Sequence, residues 1–190
     1  MAYTEDFGDS WKISSITKNI PIADGEAFFA SSGTNVKLWN DKIPVFVSGG
    51  KKSSIYFSST STHTLPLLQG EESTGANSLA LSPGKSLKGI VTGGNFAKDT
   101  ATNGNCTLFT LMPFHTQQPQ SPPHGYRSCV EYISENKLIT CGTSGVDISN
   151  DGGMNWQLVS NESFHVCQKA KKGSAVFLAG SNGKIAKLNW

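Results

Sequence analysis

The sequence predicts an all-β fold built from repeated antiparallel meanders, and three observations predict it. Short apolar runs rich in Val, Ile and Phe alternate with clusters of Gly, Ser, Asn and Thr along all 190 residues, the pattern of many short strands. No segment carries the 3.6-residue periodicity of a long helix, and glycines such as Gly33, Gly142 and Gly180 stand where strands must reverse. The third observation is a repeat: residues 126–157 read as strand, turn, strand, turn, strand, hairpin loop, and residues 164–188 repeat the first three strands. The two units align Arg127 with His165, Cys129 with Cys167 and Gly142 with Gly180. A four-stranded antiparallel meander repeated at such spacing is the blade of a β-propeller, and about four blades are expected here.

The elements follow in order. Residues 1–20 read as the end of one blade. A blade at about 25–70 holds strands at 27–30, 45–48 and 54–58, and one at about 76–115 holds strands at 78–81, 89–92 and 106–111. The blade at about 125–160 has strands at 126–133, 137–142 and 146–149, with Trp156 opening the fourth. The last, at about 163–190, has strands at 164–170, 175–180 and 184–188. The stretches 95–105 and 114–125 read as irregular insertions on the blade faces, where loops carry recognition or simply link strands.

Composition narrows the function. Hydrophobic residues make up 37% of the chain, enough for a core, and no apolar run approaches the roughly 20 residues of a membrane-spanning helix. The first eleven residues are polar and hold no apolar signal core. The 16 basic and 14 acidic residues leave a net charge of +2 and form no basic stripe, so a nucleic-acid partner is not expected. The four cysteines lack Cys-x-x-Cys spacing, which argues against a zinc site. Pairing of 130–133 with 138–140 about Glu135 sets Cys129 opposite Cys141, which fits two buried free thiols or, with distortion, a cross-strand disulfide. No Gly-rich loop opens a helix, so neither a nucleotide nor a nicotinamide cofactor is expected.

One motif occurs twice without interruption: Ser149-Asn150-Asp151-Gly152-Gly153-Met154-Asn155-Trp156 and Thr4-Glu5-Asp6-Phe7-Gly8-Asp9-Ser10-Trp11. Its pattern is Ser/Thr-x-Asp-x-Gly-x-x-Trp, the Asp-box, and its chemistry is structural. The aspartate accepts N–H groups of its own turn, the glycine takes a positive φ, and the tryptophan packs over the hairpin. A degenerate copy runs over 58–65, where Thr60, Thr62 and Leu65 stand at the Asp, Gly and Trp places.

With these boxes, the segments 25–32 (GEAFFASS), 48–50 (SGG), 93–96 (GGNF) and 125–128 (GYRS), and Phe164-His165, the chain resembles the Asp-box, or bacterial neuraminidase repeat, propellers. Within them it is similar to a bacterial group like the photosystem II stability and assembly factor, whose members carry loose oxidoreductase or glycosyl hydrolase labels. The resemblance implies a six- or seven-bladed ring, of which this would be the C-terminal part, and an exported protein. A small ring closed by residues 11–16 on the last blade is the other arrangement.

Starts of first strands line the channel of a propeller, which makes Asn77, Tyr126, Arg127 and His165 the candidate ligand-binding residues, with Phe28, Ser78 and Phe164 beside them. Arg127, the single arginine, would clamp a carboxylate or phosphate or pair with a neighbouring acid. His165 would be a satisfied channel histidine or a base. The resemblance implies either a non-catalytic binding or assembly module for a protein, small-molecule or glycan ligand, or a glycoside hydrolase related to sialidases. One arginine cannot form the sialidase arginine triad, so the binding module is the main expectation and no catalytic residue is assigned.

Overall fold

A computed structural model describes residues 2–13, 20–57, 61–84 and 86–188. The chain is all-β, and every ladder between its strands is antiparallel. The first two strands, β1 (Ala2–Tyr3) and β2 (Lys12–Ile13), form a hairpin of their own. Next come β3 (Glu26–Ala27), β4 (Val36–Trp39), β5 (Ile43–Gly50), β6 (Ser54–Phe57) and β7 (Ser61–Thr64). A second run comprises β8 (Thr74–Leu81), β9 (Lys88–Asn95), β10 (Cys106–Leu111) and β11 (Phe114–Gln117). Both runs belong to one nine-stranded sheet of order β11-β10-β9-β8-β5-β6-β7, with β3 and β4 also paired to β5. That sheet is two meanders joined at the pair Gly49–Gly75. A four-stranded sheet follows, β12 (Cys129–Tyr132), β13 (Leu138–Gly142), β14 (Gly145–Ser149) and β15 (Gln157–Ser160). A three-stranded sheet, β16 (Val166–Lys169), β17 (Val176–Ala179) and β18 (Ile185–Leu188), ends the described chain.

The meanders pack face against face, and this explains why β5 and β9 are buried along almost their full length rather than on alternate residues. One core, with Val45, Val47, Leu79, Val91 and Phe109, fills the space between the first and second meanders. Ala80, Ile90, Cys106, Val130, Leu138 and Trp156 fill the next, and Cys129, Ile139, Cys141, Phe164, Cys167 and Leu178 the last. Truncating a fully buried member such as Leu79 or Ile139 to Ala should cost about 2–5 kcal/mol.

Second strands also carry the links between meanders. Arg127 N donates to Gly93 O at 2.9 Å and Phe164 N to Gly142 O at 3.1 Å, where the first pair of meanders has Gly49 against Gly75. Glycine is required at two of these places because the first strand of the same meander runs so close. A Cβ on Gly93 would stand 1.9 Å from Gly75 O, and one on Gly142 would stand 2.0 Å from Tyr126 O.

Several strand limits differ from expectation for identifiable reasons. The strand expected at 126–133 begins only at Cys129, because Tyr126 N and Arg127 N bond to Asp99 O and Gly93 O of the preceding meander instead of to a ladder partner. Of the strand expected at 27–30 only Ala27 is in a strand, β3, and a separate strand, β4, follows it; between the two, Thr34 O accepts Leu79 N while Asn35 O accepts Val47 N. The stretch 114–125 is not irregular throughout, since Phe114–Gln117 pairs with β10 as the outer strand of its meander. Cys129 does face Cys141 in the β12–β13 register, and both are free, buried thiols. Of the strand expected at 11–16, Lys12–Ile13 pairs with β1, Trp11 is outside it, and residues 14–16 lie outside the described residues, as do residues 58–60 of the degenerate box.

Candidate functional site

The two eight-residue hairpins share a core of hydrogen bonds. Ser149 Oγ donates to Asp151 Oδ1 at 2.8 Å and accepts Gly153 N at 3.0 Å; Thr4 Oγ1 donates to Asp6 Oδ1 at 2.6 Å and accepts Gly8 N at 2.9 Å. Asp151 Oδ1 then accepts Asn155 N at 2.9 Å, as Asp6 Oδ1 accepts Ser10 N at 2.9 Å. Gly153 and Gly8 sit at φ +98° and +104°. Burial alone would raise the Asp151 carboxyl, but hydrogen bonds from Asn155, Ser149 and Met154 hold it below the usual carboxylate range. Hydrogen bonds from Ser10 and Thr4 hold Asp6 well below it. Both aspartates are therefore occupied by their own turns and offer no free base. The tryptophans differ: Trp156 is 5% exposed with Nε1 donating to Gly153 O at 2.9 Å, whereas Trp11 is 65% exposed.

The candidate binding residues at the strand starts are tied into the interior. Asn77 Nδ2 donates to the Tyr126 hydroxyl at 2.7 Å, and Ser31 Oγ donates to Asn77 Oδ1 at 2.7 Å. Burial pushes the Tyr126 phenol upward. Arg127 is wholly buried, its Nε donating to Asp147 Oδ2 at 2.6 Å and its Nη1 to Tyr126 O and Ser144 Oγ at 2.9 Å each. Its Nη2 also contacts Asp147. Of the two alternatives for this arginine, the structure has the pair with a neighbouring acid. Asp147, likewise wholly buried, meets His124 Nδ1 at 2.6 Å through its other oxygen. His165 is partly buried and its Nε2 lies 2.8 Å from Ser181 Oγ, apart from the Arg127 pair. The strand starts thus bring Asn77 and Tyr126 together but leave Arg127 and His165 facing their own meanders. Phe28 alone among their neighbours is substantially exposed, at 45%.

Open space lies at the other ends of the same strands. The first strands run side by side: Thr34 Oγ1 is 2.6 Å from Ser78 Oγ, Ser78 Oγ accepts Val130 N at 3.0 Å, and Cys129 Sγ donates to Cys167 O at 3.3 Å. Where β4, β8, β12 and β16 end, a pocket of about 570 Å³ opens among Lys37, Trp39, Ser82, Glu131, Tyr132 and Lys169, with Lys171 at its edge. Lys37 Nζ lies 3.5 Å from Glu131 Oε2. Burial raises the Glu131 carboxyl above its usual range, and the attraction of Lys37 only partly offsets this. Burial also pushes the Tyr132 phenol up to about 12. A separate cleft of about 330 Å³, sharing Ser82 and Tyr132 with this pocket, holds His115, Glu135 and Asp151 between the second and third meanders.

Sequence reasoning missed Lys37, Glu131 and Lys169, although the repeat that sets Cys129 over Cys167 also sets Glu131 over Lys169, two residues on in each strand. It missed Asp147 as well, a lone acid between Val146 and Ile148 in an apolar strand, where burial demands a cationic partner. No family model matches the chain, and no curated protein matches it. Among the described residues no three His, Cys, Asp or Glu side chains are grouped to hold a metal ion, and no helix is long and apolar enough to cross a membrane.

Proposed function

We propose that this chain is an arc of an Asp-box β-propeller and acts as a non-catalytic binding module, with its ligand site in the axial opening where β4, β8, β12 and β16 end. The observation that carries this reading is the convergence of four successive meanders on one pocket of about 570 Å³. Ligand sites are concave, few per protein and framed by elements distant in sequence, and this pocket draws on all four meanders. Two features support the propeller assignment. Successive meanders repeat the same glycine contacts, and the hairpins at 4–11 and 149–156 share the hydrogen bonds that link the first hydroxyl, the aspartate and the glycine.

Binding is favoured over glycoside hydrolysis by the carboxylates. Hydrolysis needs two of them facing one bond, about 5–9.5 Å apart. Among the described residues lining the axial pocket, Glu131 is the one carboxylate. In the neighbouring cleft Asp151 is occupied by its hairpin and Glu135 is a largely exposed side chain near Lys88. A hydrolase would need its second carboxylate from outside these residues.

Backbone amide shifts of ¹⁵N-labelled protein, followed while a set of small polar and charged compounds is added, test the proposal. At least one compound should move amides from 37–40, 80–84, 131–132 and 168–171 together. Shifts confined to a single loop, or none in these four segments, would refute the axial site.

A further inference from the structure

We propose that the axial pocket takes a small organic polyanion, a compound bearing two or more carboxylate or phosphate groups; this rests on the axial pocket being the ligand site. Its lining holds Lys37 from β4, Lys169 from β16 and Lys171 just beyond, against the single carboxylate Glu131 from β12. Three cations and one anion give this lining a formal charge of +2, as large as that of the whole chain. Lys37 is engaged by Glu131, and both side chains are mostly withdrawn from water, at 32% and 21% exposure. Lys169 feels the Glu131 charge, yet neither Lys169 nor Lys171 makes an ion pair or side-chain hydrogen bond among the described residues.

A second observation points the same way. Ser82, only 8% exposed, has a hydroxyl without a hydrogen-bond partner, and Trp39 Nε1 is buried without an acceptor. Buried polar groups are normally satisfied, so these two donors in the wall of one pocket are groups that a small shift of the wall would offer to an acceptor-rich occupant. The volume suits a small molecule, because sites for such ligands span about 300–1,000 Å³. An ammonium group is a point charge that donates to carboxylate and phosphate alike, and the only arginine is committed to Asp147, just ahead of the opposite end of β12. Glu131 acts inside this pocket as a competitor, neutralising a lysine that the ligand would otherwise use.

Calorimetric titration of the full chain with citrate and, separately, with inorganic pyrophosphate, at about 0.15 M salt, tests the inference. At least one should bind saturably at one site, while the neutral polyol sorbitol should not. Lys37→Gln and Lys169→Gln, which keep most of the side-chain volume, should each weaken binding about tenfold, and Glu131→Gln should tighten it. Binding of citrate alone assigns a carboxylate ligand, and of pyrophosphate alone a phosphate one. The polyanion class is overturned if neither binds, if both lysine variants bind as the wild type does with unchanged circular dichroism, or if Glu131→Gln weakens binding. Should both anions fail while neutral compounds still move amides in all four segments, the ligand class is wrong and the site stands; should nothing move them, the site itself is wrong.

Discussion

Replacing Arg127 with Leu should destabilise the protein severely, and the cost can be worked from its contacts. The substitution removes the Nε bond and the Nη2 contact to Asp147, and the Nη1 bonds to Tyr126 O and Ser144 Oγ. Asp147 stays wholly buried with His124 as its remaining partner, through Nδ1 at 2.6 Å and through the backbone N at 3.3 Å. Breaking one side of a buried ion pair costs about 3–5 kcal/mol, because the remaining charge keeps its desolvation penalty without its counter-charge. That is a large part of the roughly 5–15 kcal/mol that holds a domain together. Removing both charges in Arg127→Leu/Asp147→Leu should restore most of the loss, since two apolar side chains replace the pair without an orphan charge. Urea unfolding followed by tryptophan fluorescence measures both variants. A single variant within about 1 kcal/mol of wild type, or a double variant less stable than the single, would refute the reasoning.

Other expectations can be checked with the same unfolding assay. Asp151→Ala should lower stability by about 1–2 kcal/mol, because its hairpin holds the buried Trp156, while Asp6→Ala should leave global stability unchanged because Trp11 is exposed. Gly142→Ala should cost about 3 kcal/mol or more and Gly93→Ala a similar amount, both Cβ atoms meeting a carbonyl oxygen at 2.0 Å or less, and Gly89→Ala, with its Cβ at 2.2 Å from Ala80 O, should resemble them. The four cysteines, all free and buried, should resist a thiol reagent in the native protein and react fully once it is unfolded. Glu131 binds its proton more tightly in the folded protein than in the unfolded chain, so its contribution favours folding at low pH and is lost as pH rises above the unfolded value of about 4.5. Wild-type stability should therefore fall relative to Glu131→Gln as pH rises through the range just above that value.

The antiparallel strands, the Cys129–Cys141 register and the hairpin chemistry of Ser149, Asp151, Gly153 and Trp156 were legible in the sequence, because each depends on neighbours close along the chain. Less was legible where a strand bonds across meanders. Tyr126 and Arg127 read as strand residues by type, but their amides go to Asp99 and Gly93, a partnership set by tertiary packing. The fourth strand Phe114–Gln117 was hidden by its Pro113 and Pro119 neighbours and by a polar, half-exposed composition suited to an outer edge. The ends of the first strands were the hardest to choose between. Aromatic and cationic residues at the starts, Tyr126, Arg127 and Phe164, draw attention as ligand groups, but their size fills the interior there. Shorter or more flexible residues at the other ends, among them Ser82 and Lys169, leave room for the pocket.

The convergence of β4 and β16 on one pocket is tested most directly by amine cross-linking of the native protein with a short bifunctional reagent, read by mass spectrometry. Lys37 and Lys169 lie in different meanders but line the same pocket, so a Lys37–Lys169 or Lys37–Lys171 cross-link within one chain is the expected result. Modification of all three lysines without either cross-link would contradict the shared pocket and the binding role proposed for it.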